Sequence, residues 1–139
     1  MISWFDGEYH FLSNFYESPV VFNGLEYGSA EAAYQAQKVA NPDERVQFTT
    51  LKAGQAKVVG RNIRMRPEWD AVKLGVMKAV LDQKFTDPTL AKWLVETGSQ
   101  ELQEGNYWHD TFWGTNDGVG RNWLGKLLML VRSELVLKK

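Results

Sequence analysis

Apolar positions recur at helical spacing along much of the chain. Between Pro67 and Phe85, the residues Trp69, Val72, Val76, Met77, Val80 and Leu81 fall on one stripe. That pattern predicts a long helix with one buried face, Pro67 occupying its first turn. Leu124, Leu127, Leu128, Val131 and Leu135 predict a last helix beginning near Gly120. Ser29 is a good N-cap for a helix reaching about Ala40, and Pro42 lies just past its end. Shorter helices are expected over residues 43–51 and 55–59, the second closed near Gly60 as a C-cap. Asp87-Pro88 supplies an N-cap and an N1 proline for another helix, with Gly98 at C′. The alternation changes at Val20-Val21-Phe22 and Leu25-Glu26-Tyr27, which flank Asn23-Gly24. Asn-Gly favours the type I′ turn of a hairpin because both positions need positive φ. A short strand is expected within residues 2–16 and another over residues 101–104. The sum is a predominantly helical α+β fold with a small β-sheet or hairpin, one domain over residues 1–139.

Composition narrows the class. The 139 residues are 44% apolar and 24% charged, in the ordinary range for a globular domain. Sixteen basic and seventeen acidic side chains give a net charge of −1, so no global basic field draws the chain to nucleic acid. A local strip of Lys52, Lys57, Arg61, Arg64 and Arg66 is open to two readings, a DNA-facing strip or a solvated surface. There are no cysteines, which excludes disulfides, thiolate nucleophiles and Cys-based zinc sites. His10 and His109 are not spaced as a metal pair, and neither a metal nor an organic cofactor is expected. No apolar run approaches the roughly 18 residues of a membrane span, and the start of the chain lacks signal-peptide regions. A cytoplasmic enzyme or binding domain fits.

Chemistry-bearing residues gather in two places. On the first helix, Glu31, Tyr34, Gln35 and Lys38 share one side at i, i+3, i+4 and i+7. They are either a solvated face or the polar wall of a pocket. The second place is the segment from Asp110 to Gly125, with Trp113, Asp117, Gly118, Gly120, Arg121 and Asn122. Two tryptophans and four glycines in one loop suit a site for a flat ring and a phosphate, with Arg121 and Asn122 in the first turn of the last helix. Asp110 and Asp117 are equally able to cap turns, and Gly118 and Gly120 to be turn glycines. Asn14 is either a turn residue or a ligand for a base or sugar. Arg61 is a weak phosphate candidate. Trp69 falls on the apolar stripe, and Lys84 closes the long helix, where a cation complements the dipole.

Taken together and in order, these residues resemble the YbiA-like, or NADAR domain, family. The matching pieces are Leu12-Ser13-Asn14-Phe15, the run from Ser29 to Lys38, Gly60-Arg61-Asn62, Trp69 with Val72-Lys73, Met77, Lys84-Phe85, Asp110-x-x-Trp113-Gly114 and Gly118-x-Gly120-x-Asn122-x-Leu124-Gly125. The chain departs from the family pattern after Gly114, where Thr115 stands and Asp117 follows two residues later. The resemblance implies an N-glycosidase that hydrolyses the ribose C1′–N bond of a ribosylated base. Its substrates would be phosphoribosylated aminopyrimidines of riboflavin synthesis or ADP-ribosylated guanine in DNA. It also implies Glu31, Asp110 and Lys38 as catalytic residues. Asn14, Tyr34, Arg61, Trp69, Trp113, Gly118, Gly120, Arg121 and Asn122 would bind substrate. The rival expectation is a non-catalytic sensor of ADP-ribose or NAD.

Overall fold

A computed structural model describes residues 1–138. They group into two compact units, residues 14–84 and residues 1–13 with 85–138.

The 14–84 unit begins with the expected hairpin. Strands β1 (Glu17–Phe22) and β2 (Leu25–Ser29) pair antiparallel, with Val21 opposite Glu26 and Phe22 opposite Leu25. Asn23 and Gly24 have φ of 49° and 83°, the left-handed values that a type I′ turn requires. The register is irregular between Glu17 and Val20, around Pro19, which has no N–H to donate. Helix α1 (Ala30–Ala36) follows β2 directly. Ser29 caps it by accepting the Ala32 N–H at 3.1 Å.

The sequence pattern carries α1 to Ala40, but the helix ends at Ala36. Tertiary donors replace its continuation. Arg66 donates through its backbone N–H to the Lys38 carbonyl and through its guanidinium to the Gln37 carbonyl. Arg45 places two guanidinium donors on the Val39 carbonyl. A 3-10 helix (Pro42–Thr50) stands where an α-helix was expected. Helix α2 (Ala53–Asn62) is longer than the expected 55–59 and runs through Gly60, so that glycine is interior and not a C-cap. Helix α3 (Trp69–Lys84) completes the unit. The small faces of Ala30, Ala32, Ala33 and Ala36 let neighbours approach closely, and they pack with Val20, Tyr27, Phe48, Ala56 and Val80 as one core.

In the other unit, residues 7–12 form a 3-10 helix (Gly7–Leu12) rather than the expected strand. Extended pairing near the start is confined to a bridge between Ile2 and Leu102. Helix α4 (Pro88–Glu96) opens as expected, with Asp87 Oδ1 accepting the Thr89 and Leu90 N–H groups. Gly98 follows its C-terminus with φ of 67°. The strand expected over residues 101–104 is reduced to Leu102. The paired residues are instead β3 (Gly105–Asn106) and β4 (Thr115–Asn116), in parallel. Helix α5 (Trp123–Leu137) starts later than Gly120 and buries Leu124, Leu128 and Val131. Its buried Arg132 donates to the Thr97 hydroxyl at the end of α4.

Candidate active site

Every side chain of α1 is buried, including the polar ones. Glu31 is 8% exposed and Gln35 5%. This removes the solvated-face reading. Taking a carboxylate out of water costs several kcal/mol unless hydrogen bonds and opposite charge compensate. The Gln35 amide donates to Glu31 Oε2 at 3.5 Å. Lys38, one helical turn further on, lies within the electrostatic reach of the same carboxylate.

Lys38 is itself perturbed. Burial pushes its ammonium below the ordinary lysine value of 10.5; Glu31 pulls it back up, and Arg61 and Lys73 push it down. One carboxylate among lysine and arginine groups just past α1 and on α2 and α3 can hold a developing cation and attract an anionic substituent at once.

Asn14 precedes β1 and joins this group through the backbone, its carbonyl accepting the Glu31 N–H at 3.0 Å. Its side chain is 7% exposed. The amide donates to the Met77 sulfur at 3.4 Å, while its Oδ1 is buried with no hydrogen-bond partner among the described residues. Buried acceptors are rarely left unpaired. Tyr34 and Trp69 pack against each other, ring centroids 5.2 Å apart and planes tilted by 55°. Trp69 is buried, in keeping with its place on the apolar stripe. Arg61 is exposed near the end of α2.

Lys84 closes α3 as the pattern predicts, but its burial was not legible in the sequence. A cation at a helix end normally reaches solvent, yet Lys84 is 1% exposed with its ammonium 5.9 Å from the Tyr16 ring centroid. Nothing in the local pattern distinguishes it from a surface lysine. Gln35 and Gly60 were likewise visible only as a helix-face amide and a helix-end glycine.

The 110–125 segment is organised by its own hydrogen bonds. Asp110 Oδ1 accepts the N–H groups of Phe112 and Trp113 at 3.2 and 2.9 Å, which makes it a turn cap. Asn106 brackets Asp110, accepting its N–H and donating to its carbonyl. Trp113 is half-buried, edge-on to Phe112 at 4.8 Å. Asn116 and Val119 exchange both backbone hydrogen bonds across Asp117-Gly118, whose φ values are 50° and 78°. The pair is a two-residue turn of the type I′ kind. Asp117, which follows the departure from the family pattern at Thr115, is therefore an exposed turn residue. Gly120 has φ of 153°, and a Cβ there would collide with the Gly114 carbonyl.

Arg121 and Asn122 were expected in the first turn of α5, but both precede it. The N–H groups of Arg121, Asn122, Trp123 and Leu124 donate to the carbonyls of Thr111, Gly114, Phe112 and Trp113. The loop thus occupies the donors that an anion would need. Asn122, buried at φ of 54°, spends its amide on Glu104 N–H at 3.0 Å and Leu102 C=O at 2.8 Å. The guanidinium of Arg121 is exposed. Among the described residues, no group of three His, Asp or Glu is placed to hold a metal ion. No helix there is long and apolar enough to cross a membrane.

A small helical α+β fold with a buried, cation-flanked carboxylate defines the class. The chain belongs to the NADAR domain family, whose model matches residues 4–136. It is 32% identical over 139 aligned residues to the N-glycosidase YbiA of Escherichia coli K12, covering 95% of this chain and 85% of that one. It is 39% identical over 137 residues to a riboflavin biosynthesis protein of Vibrio vulnificus, covering 94% of this chain but only 36% of that protein's length. The solution structure of E. coli YbiA superposes with a TM-score of 0.85 at 29% identity, covering 99% of this chain and 88% of that one.

Proposed function

We propose that this domain hydrolyses the ribose C1′–N bond of a phosphoribosylated aminopyrimidine in the cytosol, with Glu31 as the working carboxylate. The chemical class follows from the family: the chain is a hydrolase of N-glycosyl bonds. The choice of an aminopyrimidine rests on the relatives named for riboflavin biosynthesis. ADP-ribosylated guanine in DNA is the second substrate to test.

The observation that carries the proposal is the burial of Glu31 beside Gln35 and Lys38. Cleaving a ribosyl C–N bond develops positive charge at C1′. In this reading Glu31 stabilises that charge and orients a water, whose oxygen bonds to C1′ as the C–N bond breaks. The water's proton passes to the carboxylate, and the leaving nitrogen takes a proton from Lys38, whose lowered pKa makes it the better donor. The unpaired Oδ1 of Asn14 suits an N–H on the aminopyrimidine or a ribose hydroxyl. Arg61, with Lys73 nearby, suits the phosphate. Tyr34 and Trp69 act together, Trp69 as the packed support of the Tyr34 ring. Asp110, Trp113, Gly118, Gly120, Arg121 and Asn122 stay in the proposal as substrate-contacting or loop-shaping residues. The bonds already made by Asp110 and Asn122 favour loop-shaping for those two.

The test is a paired incubation with a phosphoribosylated aminopyrimidine and with ADP-ribosylguanine DNA. Release of ribose 5-phosphate from the first supports the proposal, and release of ADP-ribose from the second moves the substrate to DNA. Tight binding without release in both would make the domain a sensor and overturn the catalytic reading.

A further inference from the structure

Gln35 has no role in the reaction as written above, yet the fold makes two concessions to it. Its side chain is buried, its Nε2 lies 3.5 Å from Glu31 Oε2, and its Oε1 is buried with no hydrogen-bond partner among the described residues. A carboxylate only accepts, so the amide must turn its NH2 toward Glu31 and its oxygen away. That oxygen lies against Gly60 on α2. A Cβ added to Gly60 would fall on the Gln35 amide. Gly60 sits inside a helix that continues to Asn62, without the positive φ that would call for glycine. A glycine there weakens the helix, and an unpaired amide oxygen weakens the core. An apolar side chain at position 35 would remove the second cost, and a smaller one would free position 60 for a residue with a Cβ.

We propose that Gln35 is the positioning residue for the Glu31 carboxylate, and that Gly60 is glycine because it leaves room for the Gln35 amide in that orientation. The assignment deepens the reading of Glu31 as the working carboxylate and rests on it. The amide does two things. It fixes the carboxylate's rotamer, and it favours the ionised form by donating to it. The bond is at the long end of the range, as catalytic hydrogen bonds often are before substrate binds.

Four variants test it: Gln35→Met, Gly60→Ala, Gln35→Ala and the double variant Gly60→Ala with Gln35→Ala. Folding is checked by thermal melting and circular dichroism, and turnover is read on whichever substrate the paired incubation identifies. Gln35→Met is expected to keep the fold and to lower kcat about 10- to 100-fold with KM nearly unchanged, the scale of a misplaced catalytic group. The acidic limb of kcat/KM moves to higher pH, and so does the titration midpoint of the Glu31 carboxyl carbon in NMR. Lys38 just past α1, Arg61 on α2, Lys73 and Lys84 on α3 and Arg45 on the 3-10 helix are unchanged in every variant, so the shift reports the amide.

Gly60→Ala reproduces the loss when residue 35 is Gln and adds nothing when it is Ala, because the obstructing amide is then gone. The assignment is overturned if Gln35→Met leaves the Glu31 midpoint and kcat at their native values. It is also overturned if Gly60→Ala costs the same in both backgrounds. Glu31→Gln, run in parallel, separates the two levels. An active Glu31→Gln enzyme removes the parent reading and this one with it. An inactive one beside native-like Gln35 and Gly60 variants removes only this one.

Discussion

The main-chain carbonyl of Asn14 accepts the Glu31 N–H at 3.0 Å. One hydrogen bond thereby joins the chain ahead of β1 to the first turn of α1. It ties the backbone of Asn14, whose side-chain Oδ1 is buried without a hydrogen-bond partner among the described residues, to the backbone of the buried Glu31. Because the link is through the backbone, it survives substitution of either side chain, so variants at Asn14 and Glu31 report on chemistry more than on folding.

Glu31→Gln is expected to lower turnover at least about 100-fold, the usual scale of acid–base contributions. The amide replaces a buried charge of similar size, so the melting temperature should not fall. Steady-state rates and a thermal melt on the same preparation check both. Near-native turnover would exclude Glu31 from the reaction.

Lys38 should lose its proton below the ordinary lysine range, since burial disfavours its charge and Glu31 compensates only in part. Glu31→Gln removes the one influence that raises it, so the Lys38 pKa should fall further in that variant. Between the folded and unfolded pKa values, the unfolded chain holds more protons at this position. Lys38 therefore makes stability rise with pH across that interval. NMR of the lysine side chain in the native and Glu31→Gln proteins measures the shift directly, and an upward shift in the variant would contradict the sign.

Asn122→Ala should cost about 2–3 kcal/mol of stability, because it orphans the Glu104 N–H and the Leu102 carbonyl. Urea unfolding gives the number. A stability near native with a raised KM would restore Asn122 as a substrate ligand.

Gly118→Ala places a side chain at φ of 78°, a conformation that costs about 1–2 kcal/mol. The expected outcome is a lower melting temperature with KM unchanged. A KM that rises while stability holds would mean that the backbone at 118 lies against the substrate. Arg121→Ala should do the reverse of Gly118→Ala if its exposed guanidinium meets phosphate. It would weaken binding and spare stability, and an unchanged KM would end its candidacy.

Local rules were enough for features whose cause lies within a few residues. Asn23-Gly24 specified its turn through positive φ, Ser29 and Asp87-Pro88 specified helix starts through orphan N–H groups, and the Trp69-to-Leu81 stripe specified α3 through its period. The helix-face spacing also grouped Glu31, Gln35 and Lys38 before any coordinates. What the chain by itself left open was burial and hydrogen-bond competition, which depend on residues far away in sequence. Helix α1 closes early in tight turns from Gln37 and Lys38 N–H to the Tyr34 and Gln35 carbonyls, and Arg45 and Arg66 from distant positions cap the carbonyls of residues 37–39. The carbonyls of residues 111–114 occupy the N–H groups expected to hold an anion at α5. Lys84 ends α3 as its pattern predicts, and nothing local tells that it is buried. The same periodicity describes a wet polar face and a buried polar wall, because period reports direction around a helix and not what stands opposite. Only the tertiary structure, by burying every side chain of α1, decided that this face is a buried polar wall.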